Sequence, residues 1–418
     1  MFRPDLLIDY VIDGAAYEAL SDIFFGKRSF TKVQDFFLEG LEGGSPNVSS
    51  IGGSGGVLTR LSGIEARSFS QGRTVCARVQ EEYKRDGFDG LGNPQGFDPE
   101  VAPTNNPQEV AGITDCPAEI NSADRWQPIC VPVDFGSDAC QPQTYLGPGA
   151  HLMHTYGIPD GDAIRPPGPP LLEGGDEQEW RRQAREVLEF SADLNDSNKV
   201  VAEHWADGPD TTLPPGHLFY IAVGAAEKQG LDVFASAQLL FLVGAALNDA
   251  GVAAWASKLR FDYTRPLQMI QCGFAGEAVE AWVGPYAGVG TIDASTWQPY
   301  QARTFVTPPF PAYVSGHSAF SAAAAAAMID YFGTNEYLAP KCIRYEEGSS
   351  LFEGRINPGE NNHIAGMTDV PNQGPRTTAA IVVTRILKRS FYDFGEQIPA
   401  DQSIGQVFRN PQMPLGPA

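Results

Sequence analysis

The stretch PPFPAYVSGHSAFSAAAAAAMIDYF, residues 308–332, decides how this chain is read. Alanine is the strongest helix former, so the run that closes the stretch is a helix, predicted over 316–332, and Ser315, Gly316 and His317 stand where it begins. The first turn of a helix leaves backbone N–H groups without intrahelical partners and carries the positive end of the macrodipole, which suits it to hold an anion. Ser315 can add a hydroxyl donor, Gly316 lets an anion approach the backbone, and His317 can bind or exchange a proton. Read alone, the same residues are better taken as an ordinary serine N-cap and a first-turn surface histidine.

Three other segments change that balance. In WASKLRFDYTRP, 255–266, Lys258 and Arg265 lie seven apart, so a helix running to Pro266 would project both from one face. The residues before them are strongly apolar, so the helix enters the core, and two cations carried there need an anionic partner. A solvated basic helix end is the alternative. GRINPGENNHIAGMTD, 354–369, supplies Arg355 and His363 from a polar, turn-rich stretch. EHWADGPDTTLPPGH, ending at His217, sets Asp207 in a tight Gly/Pro turn from which its carboxylate could orient a buried arginine.

Composition narrows the partners. The 418 residues carry a formal net charge of −22, which argues against nucleic acid or an anionic membrane, so any bound anion must be held by a few placed cations. No apolar run approaches the roughly 20 residues of a membrane span; LLFLVGAAL, 239–247, comes nearest. Residues 1–20 lack the basic start and apolar centre of a signal peptide. The chain reads as soluble, with its compartment unassigned. Of six cysteines, Cys116, Cys130 and Cys140 crowd a loop-rich region where one disulfide fits, while Cys76, Cys272 and Cys342 are scattered; free buried thiols are the alternative.

Along the chain, residues 5–42 are predicted helical, 43–56 a Gly/Ser-rich loop, 72–85 a helix within a loop-rich region, and RPPGPP, 165–170, a polyproline-like surface strap. Helices follow at 177–194, 198–206, 216–230, 231–263 (as more than one), 316–332 and 374–391, with a loop from about 284 to 314 and little strand alternation. The expected fold is mainly α, helical bundles wrapping one site with long irregular loops outside. The division expected is an N-terminal helical and loop-rich region, 1–124, packed on a helical domain, 125–418. His151 and His154 share a spacing suited to one helical face but lack a third metal ligand, and His204 and His217 read as structural residues flanking the Asp207 turn.

Two arginines, a lysine, a serine hydroxyl, helix N–H groups and two histidines are a donor set for a tetrahedral oxyanion such as phosphate or vanadate. Their order, Lys258-x6-Arg265-Pro266, then Ser315-Gly316-His317, then Arg355 and His363, resembles that of the vanadium-dependent haloperoxidases and the related type 2 phosphatidic acid phosphatases. PPFPAYVSGHSAF is similar to the form typical of fungal chloroperoxidases, with Val314 in place of a proline, and Trp255 matches an active-site tryptophan of that branch. The resemblance extends over about 125–395. It implies that Lys258, Arg265, Ser315, Gly316 and Arg355 hold the oxygens of vanadate and that His363 is the ligand to the metal. By the same resemblance His317 is the acid–base residue, Asp207 pairs with the arginines, and Trp255 and Phe310 line a halide pocket. The activity implied is oxidation of halide to hypohalous acid by hydrogen peroxide, with an organic acceptor as further substrate; oligomeric state is left open. The alternatives are an acid phosphatase on the same scaffold, working through a phosphohistidine at His363, and a non-catalytic anion-binding relative. The chain departs from the family between Arg355 and His363, where seven residues intervene instead of a shorter spacing and Gly354 stands where the family has serine.

Overall fold

The structure is a computed structural model that describes residues 63–83, 103–107, 116, 120–133, 139–209, 211–339 and 352. The helices expected at 5–42 and 374–391, the loop at 43–56, Cys342, Arg355 and His363 lie outside the described residues. The chain divides into two compact units, 1–96 and 97–418. In the first, helix α1 spans Gly63–Tyr83, starting before the predicted 72–85.

In the second unit the described helices are α2 (Glu177–Ala192), α3 (Asp196–His204), α4 (Leu213–Lys228), α5 (Val233–Phe261), α6 (Pro266–Gly273) and α7 (Gly316–Phe332). The unit is mainly α, as the sequence predicts. Two short antiparallel pairs complete it. Strand β1 (Cys130–Pro132) pairs with β2 (Cys140–Pro142), and β3 (Ala278–Trp282) forms a hairpin with β4 (Val289–Asp293) in the register Ala278 opposite Asp293 and Trp282 opposite Val289. Part of the loop expected from 284 is therefore strand.

Helices α4, α5 and α7 pack against one another around Leu218, Ala222, Leu239, Val243, Leu247, Phe320 and Ala324. The alanines of α4 and α7 let the helix axes approach, and each phenylalanine or leucine fills the room they leave. Helix α5 is one continuous helix of 29 residues rather than several, with Asp232 as its N-cap accepting from Ala235 N at 2.8 Å. Its Gly244 and Gly251 do not break it because side chains of neighbouring helices, Phe219 and Phe320, come against them at 3.6 and 3.2 Å from where a Cβ would stand. Being unbroken, Val233–Phe261 is also long and apolar enough by length and composition to cross a membrane, which corrects the expectation that no segment approaches that length.

A second core gathers Trp180, Ala184 and Leu188 of α2 with Leu267, Met269 and Ile270 of α6 and with Trp297. Trp180 is fully buried, and a Cβ at Gly273 would lie 2.6 Å from its ring, so the close crossing of α2 and α6 needs glycine there. The RPPGPP strap is tied down by tyrosines: Tyr313 donates to Pro167 O at 2.7 Å and Tyr263 to Pro170 O at 2.9 Å. Among the described residues there are two disulfides. Cys130–Cys140 joins β1 to β2, while Cys116–Cys272 ties residue 116 to α6 across 156 positions, a pairing the sequence reading did not anticipate.

Candidate active site

Lys258 lies in the last turn of α5 and is 1% exposed. The helix stops four residues later at Asp262, whose backbone is left-handed (φ 44°) while its N–H still closes on Lys258 O at 2.9 Å. Asp tolerates that conformation better than most residues, and its carboxylate is occupied by Thr104 N at 2.9 Å. Residues 262–264 then run beside 124–126, with Trp126 N donating to Asp262 O and Thr264 N to Asp124 O. Arg265 follows in extended conformation as the residue before α6, with Pro266 opening that helix. The two cations thus stand on either side of a helix break, which corrects the expectation of a single helical face ending at Pro266. They converge all the same, because the break turns Arg265 back toward Lys258.

Their meeting point is the proline-rich stretch. Lys258 Nζ donates to Pro311 O at 2.8 Å and Ala312 O at 3.1 Å, and Arg265 Nε donates to Phe310 O. Leu146 N takes Pro309 O at 3.0 Å. Four successive carbonyls are therefore held by donors from three directions, and the prolines at 308, 309 and 311 suit the stretch because each offers a carbonyl with no N–H of its own to satisfy. Phe310 is packed between the cations, its ring centroid 4.8 Å from Lys258 Nζ and 4.8 Å from Arg265 Cζ. Trp255 leans on Phe310 at 5.1 Å between centroids, is fixed by its Nε1–H donating to Leu146 O at 3.0 Å, and lies over the start of α7, 3.6 Å from where a Gly316 Cβ would be.

Among the described residues, neither Lys258 nor Arg265 has a carboxylate within ion-pair distance. Burial, then the charge of Arg265, pushes the Lys258 ammonium well below its usual value. Burial lowers Arg265 as well, with Tyr145 opposing, though a guanidinium stays protonated near neutral pH. A buried ammonium and a partly buried guanidinium side by side, with no carboxylate partner among the described residues, are costly unless an anion joins them.

The stretch leads straight into α7. Ser315 is its N-cap, Oγ accepting from Ser318 N at 3.3 Å, which leaves the hydroxyl hydrogen to be donated elsewhere. His317 is partly buried rather than on the surface, and its Nε2–H donates to Trp205 O at 2.8 Å. A carbonyl only accepts, so the proton is on Nε2 and Nδ1 carries the lone pair of the neutral ring. Burial lowers the His317 pKa; Asp207 and the Trp205 carbonyl raise it, and Lys258 and Arg265 lower it further. The imidazole is therefore neutral near pH 7 and feels both cations.

Arg355, one of the arginines that the resemblance pairs with Asp207, lies outside the described residues. Among the described residues the Asp207 carboxylate is taken by His217 Nδ1, at 2.9 and 3.1 Å. His151 Nδ1 bonds Pro148 O and His154 stacks edgewise on Tyr156, and no group of three metal-ligating residues occurs among the described residues. What the sequence reading missed is the acceptor side, the carbonyls of Phe310, Pro311 and Ala312. The prolines themselves were the available signal.

Residues 238–369 match the family described as the VCPO second helical-bundle domain, a span that includes Lys258, Arg265, Ser315, Gly316, His317, Arg355 and His363. No curated protein matches the chain. Among solved structures, a bacterial vanadium-dependent chloroperoxidase in its holo form is similar at TM-score 0.67 and 20% identity, over 96% of this chain and 80% of that one. The apo form of a bacterial vanadium-dependent chloroperoxidase is similar at TM-score 0.67 and 20% identity, covering 91% and 76%. A bacterial vanadium-dependent iodoperoxidase is similar at TM-score 0.51 and 16% identity, covering 91% and 72%. The fold is thus that of the vanadium haloperoxidases, a mainly α helical-bundle class. The family domain matched by residues 238–369, the second helical bundle, lies within that fold and carries the described cations and the start of α7.

Proposed function

We propose that this chain is a vanadium-dependent haloperoxidase that uses hydrogen peroxide to oxidise halide to hypohalous acid. The observation that carries the reading is the buried Lys258 beside the partly buried Arg265, without a carboxylate among the described residues, against the carbonyls that lead into the start of α7. An ammonium, a guanidinium, the Ser315 hydroxyl and the first N–H groups of α7 suit a tetrahedral oxyanion, and vanadate fits that donor set. Lys258, Arg265, Ser315 and Gly316 would hold it, joined by Arg355 and by His363 as the expected ligand to the metal. Bound vanadate supplies Lewis-acid activation of peroxide by a metal that keeps its oxidation state.

The remaining work falls to the chain's own residues. His317, neutral with its proton on Nε2, accepts a proton from incoming peroxide at Nδ1 and returns it as the reaction closes. Lys258 and Arg265 stabilise negative charge that develops beside them, at little reorganisation cost because carbonyls already fix them. Trp255 and Phe310 give an apolar wall for halide, and Phe310 brings that wall within reach of both positive charges.

The test is to reconstitute the purified chain with vanadate and assay monochlorodimedone halogenation with peroxide and bromide or chloride, beside p-nitrophenyl phosphate hydrolysis without vanadate. Halogenation that vanishes in His363→Ala supports the reading. Phosphate-ester turnover inhibited by vanadate, with no halogenation, moves the chain to the acid phosphatases.

A further inference from the structure

Three of the chain's six histidines surround one tryptophan at the edge of the site. His217 lies almost flat on Trp205, with ring centroids 4.8 Å apart and planes 21° apart, and His204 meets both rings edge-on at 4.9 and 4.8 Å. Trp205 ends α3 as its C-cap, so its carbonyl belongs to the group that a helix leaves without an internal partner at its negative end. That carbonyl accepts from His317 Nε2. The Trp205 indole Nε1 is buried with no hydrogen-bond partner among the described residues, where ring contacts rather than a polar tether fix the residue. The ring that covers it is fixed in turn. His217 is bound to both oxygens of Asp207, a side chain 9% exposed, on a backbone held at φ 42°.

We propose that His217, anchored by Asp207 and stacked on Trp205, is a positioning residue for His317: it holds the Trp205 carbonyl where that carbonyl keeps the His317 proton on Nε2. His317 then presents Nδ1 alone for proton exchange. Without the stack, Trp205 is free to shift, the 2.8 Å contact lengthens, and the His317 proton distributes between both nitrogens. The value of this arrangement to catalysis rests on the haloperoxidase reading; the tautomer claim does not.

The experiment reads the tautomer directly. Long-range proton–nitrogen NMR of the full chain reports which His317 nitrogen carries hydrogen, the signal being assigned by its absence in His317→Gln. The wild type shows a single Nε2–H form. His217→Ala, which removes ring and anchor together, and Asp207→Leu, which removes the anchor alone, lose that single form. His217→Asn, whose flat amide can donate to Asp207 where Nδ1 does, restores it. In halogenation His217→Ala lowers kcat about tenfold, part of the 10²–10⁴-fold that a positioned acid–base group contributes, with vanadate Kd within about twofold and partial recovery in the Asn variant.

A folded His217→Ala that keeps the wild-type nitrogen shifts overturns the proposal. Should that variant fail to fold, unchanged shifts in Asp207→Leu do the same. A wild type that never halogenates but shows the tautomer loss in the variants removes the oxidation reading and leaves the positioning role. An active wild type with unmoved shifts removes the positioning role alone.

Discussion

Lys258→Met replaces a buried ammonium with an unbranched side chain that carries no charge. Two effects oppose one another in the anion-free protein. Removing an unpaired buried cation relieves a desolvation penalty of several kcal/mol. The change also strips donors from Pro311 O and Ala312 O, each charge-assisted bond being worth about 1.5–3 kcal/mol. The sum leaves anion-free stability within about 2 kcal/mol of the wild type. Anion affinity has no such offset: loss of one charged contact weakens binding by about 1.5–3 kcal/mol, roughly 10- to 150-fold in Kd. Calorimetric titration with orthovanadate gives the second number and urea unfolding without oxyanion the first. The pH dependence is a separate signature. The folded-state pKa of Lys258 lies well below the ordinary lysine value of 10.5, so across the interval between the two the unfolded chain binds the proton that the folded chain does not. Wild-type stability therefore rises with pH toward 10.5, and the Met variant lacks that contribution. A vanadate Kd within twofold of wild type refutes the anion-site reasoning. So does an anion-free loss above about 4 kcal/mol, the cost expected if a buried ion pair had been broken.

His317→Ala lowers halogenation kcat by about 10² or more while vanadate binding changes far less, since the role assigned to the ring is proton transfer; steady-state kinetics beside titration separate the two. His204 is pushed down to about 4 by burial and by His217, with Asp207 opposing, so it stays neutral in the fold while its unfolded counterpart protonates below the ordinary histidine value of 6.5. Stability therefore falls as pH drops from 6.5 toward 4, and His204→Asn flattens that part of the curve in urea titrations. Cys272→Ser opens the longer covalent loop and costs about 2–5 kcal/mol, more than Cys140→Ser, because loop-closure entropy grows with the residues enclosed; equal losses in urea unfolding would contradict that ordering.

The start of α7 was legible because three local signals agree at it: an alanine run, a serine N-cap and a glycine–histidine pair. The helix at 177–192 was legible for a similar reason, its Trp180, Ala184 and Leu188 recurring at one helical face. The meeting of Lys258 and Arg265 was expected for the wrong reason. Seven-residue spacing suggested one helical face, whereas a left-handed Asp262 ends α5 and returns the chain. Nothing local marks that break, since it depends on Thr104 and residues 124–126 holding the turn from outside. The continuity of α5 was not legible, because Phe219 and Phe320, which come against its Gly244 and Gly251, belong to other helices. Cys116–Cys272 was beyond sequence spacing, because proximity across 156 positions is a property of the fold. The Asp207–His217 pair was half legible: both residues drew attention, but the stack on Trp205 that links them to His317 is a tertiary contact.

The most direct measurement is titration of the oxyanion-free chain with orthovanadate, followed at each point by peroxide-dependent bromination of monochlorodimedone. The account predicts saturable binding that weakens in Lys258→Met and a bromination rate that follows occupancy of the site. Bromination indifferent to vanadate, or an oxyanion affinity that Lys258→Met and Arg265→Ala leave unchanged, would contradict it.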